Sequence, residues 1–254
     1  MLMDLVKGSI QGFVKIINKD TKEVLVDTHN DVLYGNISVA LAQSLIGNPA
    51  GLLAYMAFGN GGAYVGPTGN VTYKPSLGGL GSLVKNPTAN LYNTIYVKKL
   101  SNDATTSTDY NQLSSAYVPL NDFSTNYEDI IIDVTLGYSE PPVGLSDSTL
   151  ITQSVIDSST FIGTPVSTSG TSTANTLVFN EIGLFSGSNN LFAGLFTSSI
   201  TDVNNFVNQS SNFSSTVGTR SKLMLTHVIF HPVQKSANVS LEIIYTLRIT
   251  MAAQ

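Results

Sequence analysis

Residues 238–249 read Asn238-Val-Ser-Leu-Glu-Ile-Ile-Tyr-Thr-Leu-Arg-Ile249. Val239, Leu241, Ile243, Tyr245, Leu247 and Ile249 fall at every second position, while Ser240, Glu242, Thr246 and Arg248 lie between them. A period of two sends the first set to one face of a pleated strand and the second set to the other. The segment therefore reads as a half-buried β-strand, with its Val/Leu/Ile/Tyr side toward a core.

Outward from this strand, similar patterns recur. Two segments rich in β-formers, 9–17 and 24–27, flank the polar turn Asn18-Lys-Asp-Thr-Lys-Glu23 and predict a hairpin over 8–27. Further strands are predicted over 52–58, 91–97, 129–136, 176–185, 190–196 and 222–230, the last ending before Pro232. One helix is predicted over 33–45, where Ile37, Leu41 and Leu45 recur at helical spacing and Gly47 and Pro49 stop the chain. The connections are long and uncharged. Residues 59–81 hold eight glycines and two prolines, 101–115 and 139–175 are Ser/Thr-rich, and 203–219 is Asn/Ser-rich. The expected architecture is mainly β: an antiparallel β-sandwich with one short helix and long Ser/Thr/Gly-rich loops. It forms one domain over 1–254, with an insertion near 139–175 where a two-lobe split would fall. No repeat of fixed period is present.

Composition excludes several functions. Charged residues make up 11% of the chain, against roughly 25% in ordinary soluble domains. Ser, Thr and Asn supply 78 of 254 residues, so the surface is polar but mostly uncharged. The net charge of −5 argues against nucleic acid as a partner, because phosphate binding needs an excess of Lys and Arg. The absence of cysteine removes disulfides, thiolate nucleophiles and Cys-based metal sites. No stretch reaches the ~18 apolar residues of a membrane span. Asp4 stands where a signal peptide would carry positive charge, so synthesis and assembly in the cytosol are expected.

No constellation for chemistry emerges. His227 and His231 lie four apart on a predicted strand, about 13 Å, too far to share one ion within a chain. Asp129 and Asp133 are separated in the same way, which leaves them without an acid–base partner. Gly59-Asn-Gly-Gly62 has neither the lysine nor the following helix of a phosphate loop, and reads as a turn needing positive φ. Glu181 sits in the apolar run Phe179-Asn-Glu-Ile-Gly-Leu-Phe185, where it reads as a side chain satisfying backbone N–H groups at a turn or an interface. There is no Gly-x-Ser-x-Gly elbow. The sequons at Asn70 and Asn238 are what this composition produces by chance. No catalytic, metal or cofactor-binding residue is assigned, and no cofactor is expected.

Two blocks carry a resemblance. The first is Asp27-Thr-His-Asn30, a small helix ending near Gly47, and then Ala54-Tyr-Met-Ala-Phe-Gly-Asn-Gly-Gly62. The second is Asn180-Glu-Ile-Gly-Leu-Phe185 followed by Asn190-Leu-Phe-Ala-Gly-Leu-Phe196 and a long closing strand. This layout resembles virion proteins of tailed bacteriophages from the tail, neck or baseplate. The Ser/Thr-rich segment 139–175 has no counterpart in that resemblance. The likeness implies a non-enzymatic structural subunit located in the virion and assembled in the host cytoplasm.

The physical reading of the residues fits such a role. A chain with few charges repels its own copies weakly. Apolar strands between uncharged loops then suggest a symmetric homo-oligomer, with Glu181, Leu184, Phe185, Phe192 and Phe196 near subunit contacts and the phenylalanines as anchors. The expected partners are copies of the chain, neighbouring virion proteins and a host surface glycan, with neither nucleic acid nor membrane among them. The alternatives are a carbohydrate- or receptor-binding β-sandwich of a fibre, marked by solvent-facing aromatics beside polar loops, and a capsid decoration protein.

Overall fold

The computed structural model of the protein describes residues 6–66, 68–78, 83–100, 117–119, 127–138, 140, 177–187 and 222–253. Along the chain these form β1 (Val6–Asn18), β2 (Val24–Val32), α1 (Tyr34–Leu45), a 3₁₀ turn (Pro49–Gly51), β3 (Leu53–Gly59), β4 (Ala63–Val65), β5 (Val71–Tyr73) and β6 (Thr94–Lys99). They continue as β7 (Tyr117–Pro119), β8 (Tyr127–Leu136), β9 (Leu177–Gly187), β10 (Lys222–Lys235) and β11 (Leu241–Ala253). The insertion at 141–176 and the predicted strand over 190–196 lie outside the described residues, as do the loops at 101–115 and 203–219.

Nine strands join in one sheet in the order β6-β3-β9-β10-β2-β1-β11-β8-β7, and every pairing is antiparallel. The expected mainly antiparallel β fold with one short helix is present. Its two facing layers, however, are halves of a single curled sheet. The bend lies at β2, which pairs with β1 up to Asn30 and then with β10 through Asp31 and Val32 alone. The halves roll toward each other around one core. Phe58, Tyr96, Phe179 and Phe230 come from one half, and Val14, Ile132, Ile243 and Tyr245 from the other. Leu241, Ile243, Tyr245 and Leu247 are buried as their alternation predicts.

The sheet's margins meet through side chains. Lys98 of β6 reaches across to both oxygens of Glu140, each at 2.8 Å, and to the carbonyl of Thr135 in β8. Tyr96 donates to the same carboxylate at 2.9 Å, as does the Gly137 N–H at 2.7 Å. This ion pair is buried, so its worth lies in fixing how the halves meet more than in net stability.

Three departures from the expected elements have local causes. The helix does not bury its Ile37/Leu41/Leu45 stripe: Ile37, Ala40 and Gln43 face inward, while Leu41 and Leu45 are exposed. Strand β10 runs past Pro232, and its register with β9 slips between Ile229 and Val233, where the proline has no N–H to give to a ladder. Strand β6 starts at Thr94 instead of residue 91, because the N–H groups of Tyr92 and Asn93 bond to a carboxylate and not to a neighbouring strand.

A polar thread crosses the core. The Tyr245 hydroxyl donates to Thr226 Oγ1 at 2.5 Å and accepts from the Asn30 amide. Thr226 Oγ1 also accepts the Leu184 N–H at 3.2 Å. Gly12 lies opposite Asn30 in the β1–β2 ladder, and a Cβ there would land within 1.5 Å of Asn30 Oδ1. Glycine at 12 is what lets the Asn30 side chain enter. Tyr245→Phe leaves the Asn30 amide and Thr226 short of a partner, so it is expected to cost about 1–3 kcal/mol in urea unfolding.

Lys222 opens β10 and is buried, with its ammonium 4.8 Å from the centre of the Phe185 ring. Burial pushes that ammonium down to about 7. Between about pH 7 and the ordinary lysine value near 10.4, the unfolded chain holds a proton that the folded chain has shed. Stability should therefore rise with pH in that window, by at most about 1.4 kcal/mol per pH unit from this group. Burial also holds the Tyr55 and Tyr245 phenols above their ordinary range, so stability should fall again once unfolded-state tyrosines ionise near pH 10. Lys222→Met should flatten the rise between pH 7 and 10 in denaturant titrations.

Candidate functional site

Strand β9 turns over in its middle. Leu177 and Phe179 enter the main core before this point, and Ile182 and Leu184 after it. The change from odd to even positions falls at Asn180–Glu181, and these two side chains leave the core face for the glycine-rich chain beyond β3. Glu181 lies opposite Gly59 on β3 and Ile229 on β10.

There the Glu181 carboxylate is fully engaged. Oε1 accepts the N–H of Gly61 and that of Asn93, both at 3.0 Å. Oε2 accepts the N–H of Tyr92 at 3.1 Å and lies 3.0 Å from His227 Nε2. On the far side of the ring, His227 Nδ1 accepts the Leu77 N–H at 3.1 Å. A nitrogen that accepts carries no proton, so Nε2 bears the hydrogen and donates it to Glu181. Asn180 completes the grip: its amide donates to the carbonyls of Asn60 and Ala63, and its oxygen accepts the Gly62 N–H at 2.9 Å. Asn93 donates to Asn60 Oδ1 at 2.6 Å.

The glycines of this segment serve close approach. Positive φ among the described glycines occurs at Gly47 and Gly69, not at Gly59, Gly61 or Gly62. That corrects the expectation of a turn needing positive φ. A Cβ on Gly59 would sit 2.5 Å from Glu181 Oε1 and 2.7 Å from the Asn93 carbonyl, and one on Gly61 would sit 2.7 Å from the Asn93 nitrogen. The backbone must touch the carboxylate, and a side chain would prevent it.

From this clamp projects the β4–β5 hairpin, tied at its base by Lys74 N–H to the Gly62 carbonyl at 2.8 Å. Tyr92 packs beside His227, donates its hydroxyl to the Pro75 carbonyl and lies under the Lys74 ammonium at 4.5 Å. Burial lowers the Lys74 ammonium below its ordinary range, and the Glu181 charge opposes this. The Tyr73 hydroxyl stands 3.5 Å from His231 Nδ1 at the surface.

The chain matches no protein-family model, no curated protein and no solved structure.

Among the described residues, the partners of this arrangement are the chain's own groups. A carboxylate has about four acceptor positions, and all four of Glu181 are taken. Both ring nitrogens of His227 are engaged as well, one by the Leu77 N–H and one by Glu181. His227 is buried and His231 exposed, and among the described residues no group of three His, Asp or Glu converges on an ion position. Asp129 forms a two-pronged pair with Arg248 at 2.7 and 2.8 Å. Asp133 stands apart from it, its carboxyl raised by burial and by Glu242.

Of the residues expected near subunit contacts, Glu181 is the centre of the clamp, Leu184 is in the main core, and Phe185 lies in a second cluster with Tyr55 and Met224. All three are covered by their own chain. Phe192 and Phe196 lie outside the described residues. Sequence reasoning placed Glu181 correctly as an acceptor of backbone N–H groups. It missed Tyr92, Asn93 and His227, which stand 89, 88 and 46 positions away with no spacing to mark them.

Glu181→Gln replaces an acceptor oxygen by an amide that confronts N–H donors. The variant should lose about 3–5 kcal/mol, as buried pairs do when one partner goes. Hydrogen exchange should show the loss first at the amides of Gly61, Tyr92 and Asn93.

Proposed function

We propose that this protein is a non-enzymatic structural subunit of a tailed-phage virion, from the neck/collar, tail or baseplate, working as a symmetric homo-oligomer assembled in the host cytoplasm. One observation carries the reading. Parts of the two blocks that resemble phage virion proteins, 54–62 of the first and 180–185 of the second, are held together: Glu181 and Asn180 bond to Gly61 and Gly62, about 120 positions away in sequence. These parts of the resemblance thus belong to a single scaffold feature. The saturated polar centre and the low charge of the chain support a building block over a catalyst. Its partners in this reading are its own copies and neighbouring virion proteins, not nucleic acid or membrane.

A second reading has its own observation. Tyr73 is 49% exposed beside His231, on the hairpin that also carries Tyr64, and this favours a glycan- or receptor-binding module of a fibre. Antibody labelling and mass spectrometry of purified particles test the first reading. The polypeptide should be present in a fixed multiple and confined to the neck, tail or baseplate. Label spread over the head shell would favour a decoration protein, label at fibre tips the glycan-binding module, and absence from particles would overturn all three.

A further inference from the structure

Helix α1 presents an apolar face that is exposed among the described residues. Leu41, Leu45, Ile46 and Leu52 are 45%, 87%, 79% and 51% exposed. Together they present roughly 400–500 Å² of aliphatic surface, as much as the largest patch on a typical monomer. Beside them runs a groove of about 180 Å³ between α1 and the mouth of the curled sheet, walled by Ile10, Ile37, Ala40, Ile130 and Ile249. The Tyr34 hydroxyl bonds to the Ile10 carbonyl and pins the helix to this rim. No charged residue or histidine occurs from Val32 to Tyr73, so nothing on the helix itself repels an apolar partner.

We infer that this face is the contact between two copies of the chain, with the Leu45–Ile46 end of α1 in one copy seated in the groove of the other. The deduction rests on the proposed function insofar as that requires association, and it names the surface. The knob and the hole lie side by side on one element. A two-fold axis then lets each copy fill the other at once, which is the isologous arrangement of most dimers. A standard interface takes about 800 Å² from each partner, with an apolar centre and a polar rim, so a patch of this size makes the centre and not the whole. Ser44 and Asn48 stand beside it as polar neighbours. A charged or polar partner is disfavoured because the face offers it no counter-charge.

The test is sedimentation velocity on the full chain and on Leu45→Lys/Ile46→Lys. Both positions are solvent-exposed at a helix C-terminus, where a cation suits the helix dipole, so the monomer should keep its circular dichroism and melting temperature. The wild type is expected to sediment at micromolar concentration as a dimer or a multiple of dimers. The lysine variant should run at half that mass or lower, and Leu45→Ala/Ile46→Ala should weaken association by roughly tenfold or more. A variant that keeps the wild-type mass would overturn this surface while leaving the oligomeric reading intact. A monomeric wild type whose lysine variant melts earlier would mean that the chain's own segments cover the patch, and would overturn it too. Absence from virions would fail the functional reading without touching this result.

Discussion

A buried carboxylate in an apolar strand must be given donors or it unfolds what surrounds it, and Glu181 takes its donors from three separate parts of the chain. The glycines after β3 lack side chains where the backbone comes this close, the Gly61 N–H bonding to Glu181 and the Gly62 N–H to the neighbouring Asn180. The approach to β6 is bent for the same reason. His227 is oriented by it and passes the restraint on to Leu77. The β4–β5 hairpin therefore stands on a base set by one charge. The hydrogen bonds of this carboxylate all go to the protein's own groups, so among the described residues its visible work is on shape.

The curled sheet ends differently at its two rims. Past the C-terminal end of β8, Lys98, Glu140 and Tyr96 draw the margins together with charge-assisted bonds. At the other end, near Ile130 and Ile249, the opening is apolar and α1 only partly fills it. A polar clasp closes on a single geometry because its hydrogen bonds are directional. An apolar mouth accepts any well-shaped aliphatic group.

How much of this was legible in the sequence depended on how local each constraint was. The alternation at 241–247 was legible because one side of β11 meets the core and the other does not. Strand β9 is buried throughout, so its sequence marked a strand without saying which side faces in. The reversal at Asn180–Glu181 left no trace in its pattern. The helix was found from its spacing, which did not say which side faces in. Leucines outrank Ala40 and Gln43 in hydrophobicity, yet those two residues turn inward with Ile37. The role of Glu181 was legible because a lone charge among apolar residues has to be satisfied. Its partners were not, since pairing at separations near 90 residues is decided by the sheet order alone.

That order also governs how the protein reaches its fold. Strands β1 and β11 pair over thirteen positions, from Val6 opposite Ala253 to Asn18 opposite Leu241, and both lie inside the sheet. Closing that pairing brings together segments separated by almost the whole chain. Such high-contact-order sheets fold on about the millisecond-to-second scale, far slower than helical bundles. The β1–β2 hairpin can form early from local contacts, but it waits with one rim unpaired until β11 arrives, and β8 waits likewise. During that interval these two rims, β1 above all, are the segments most prone to pair with a neighbouring chain, so slow closure makes crowded synthesis the hazardous stage in the life of this protein.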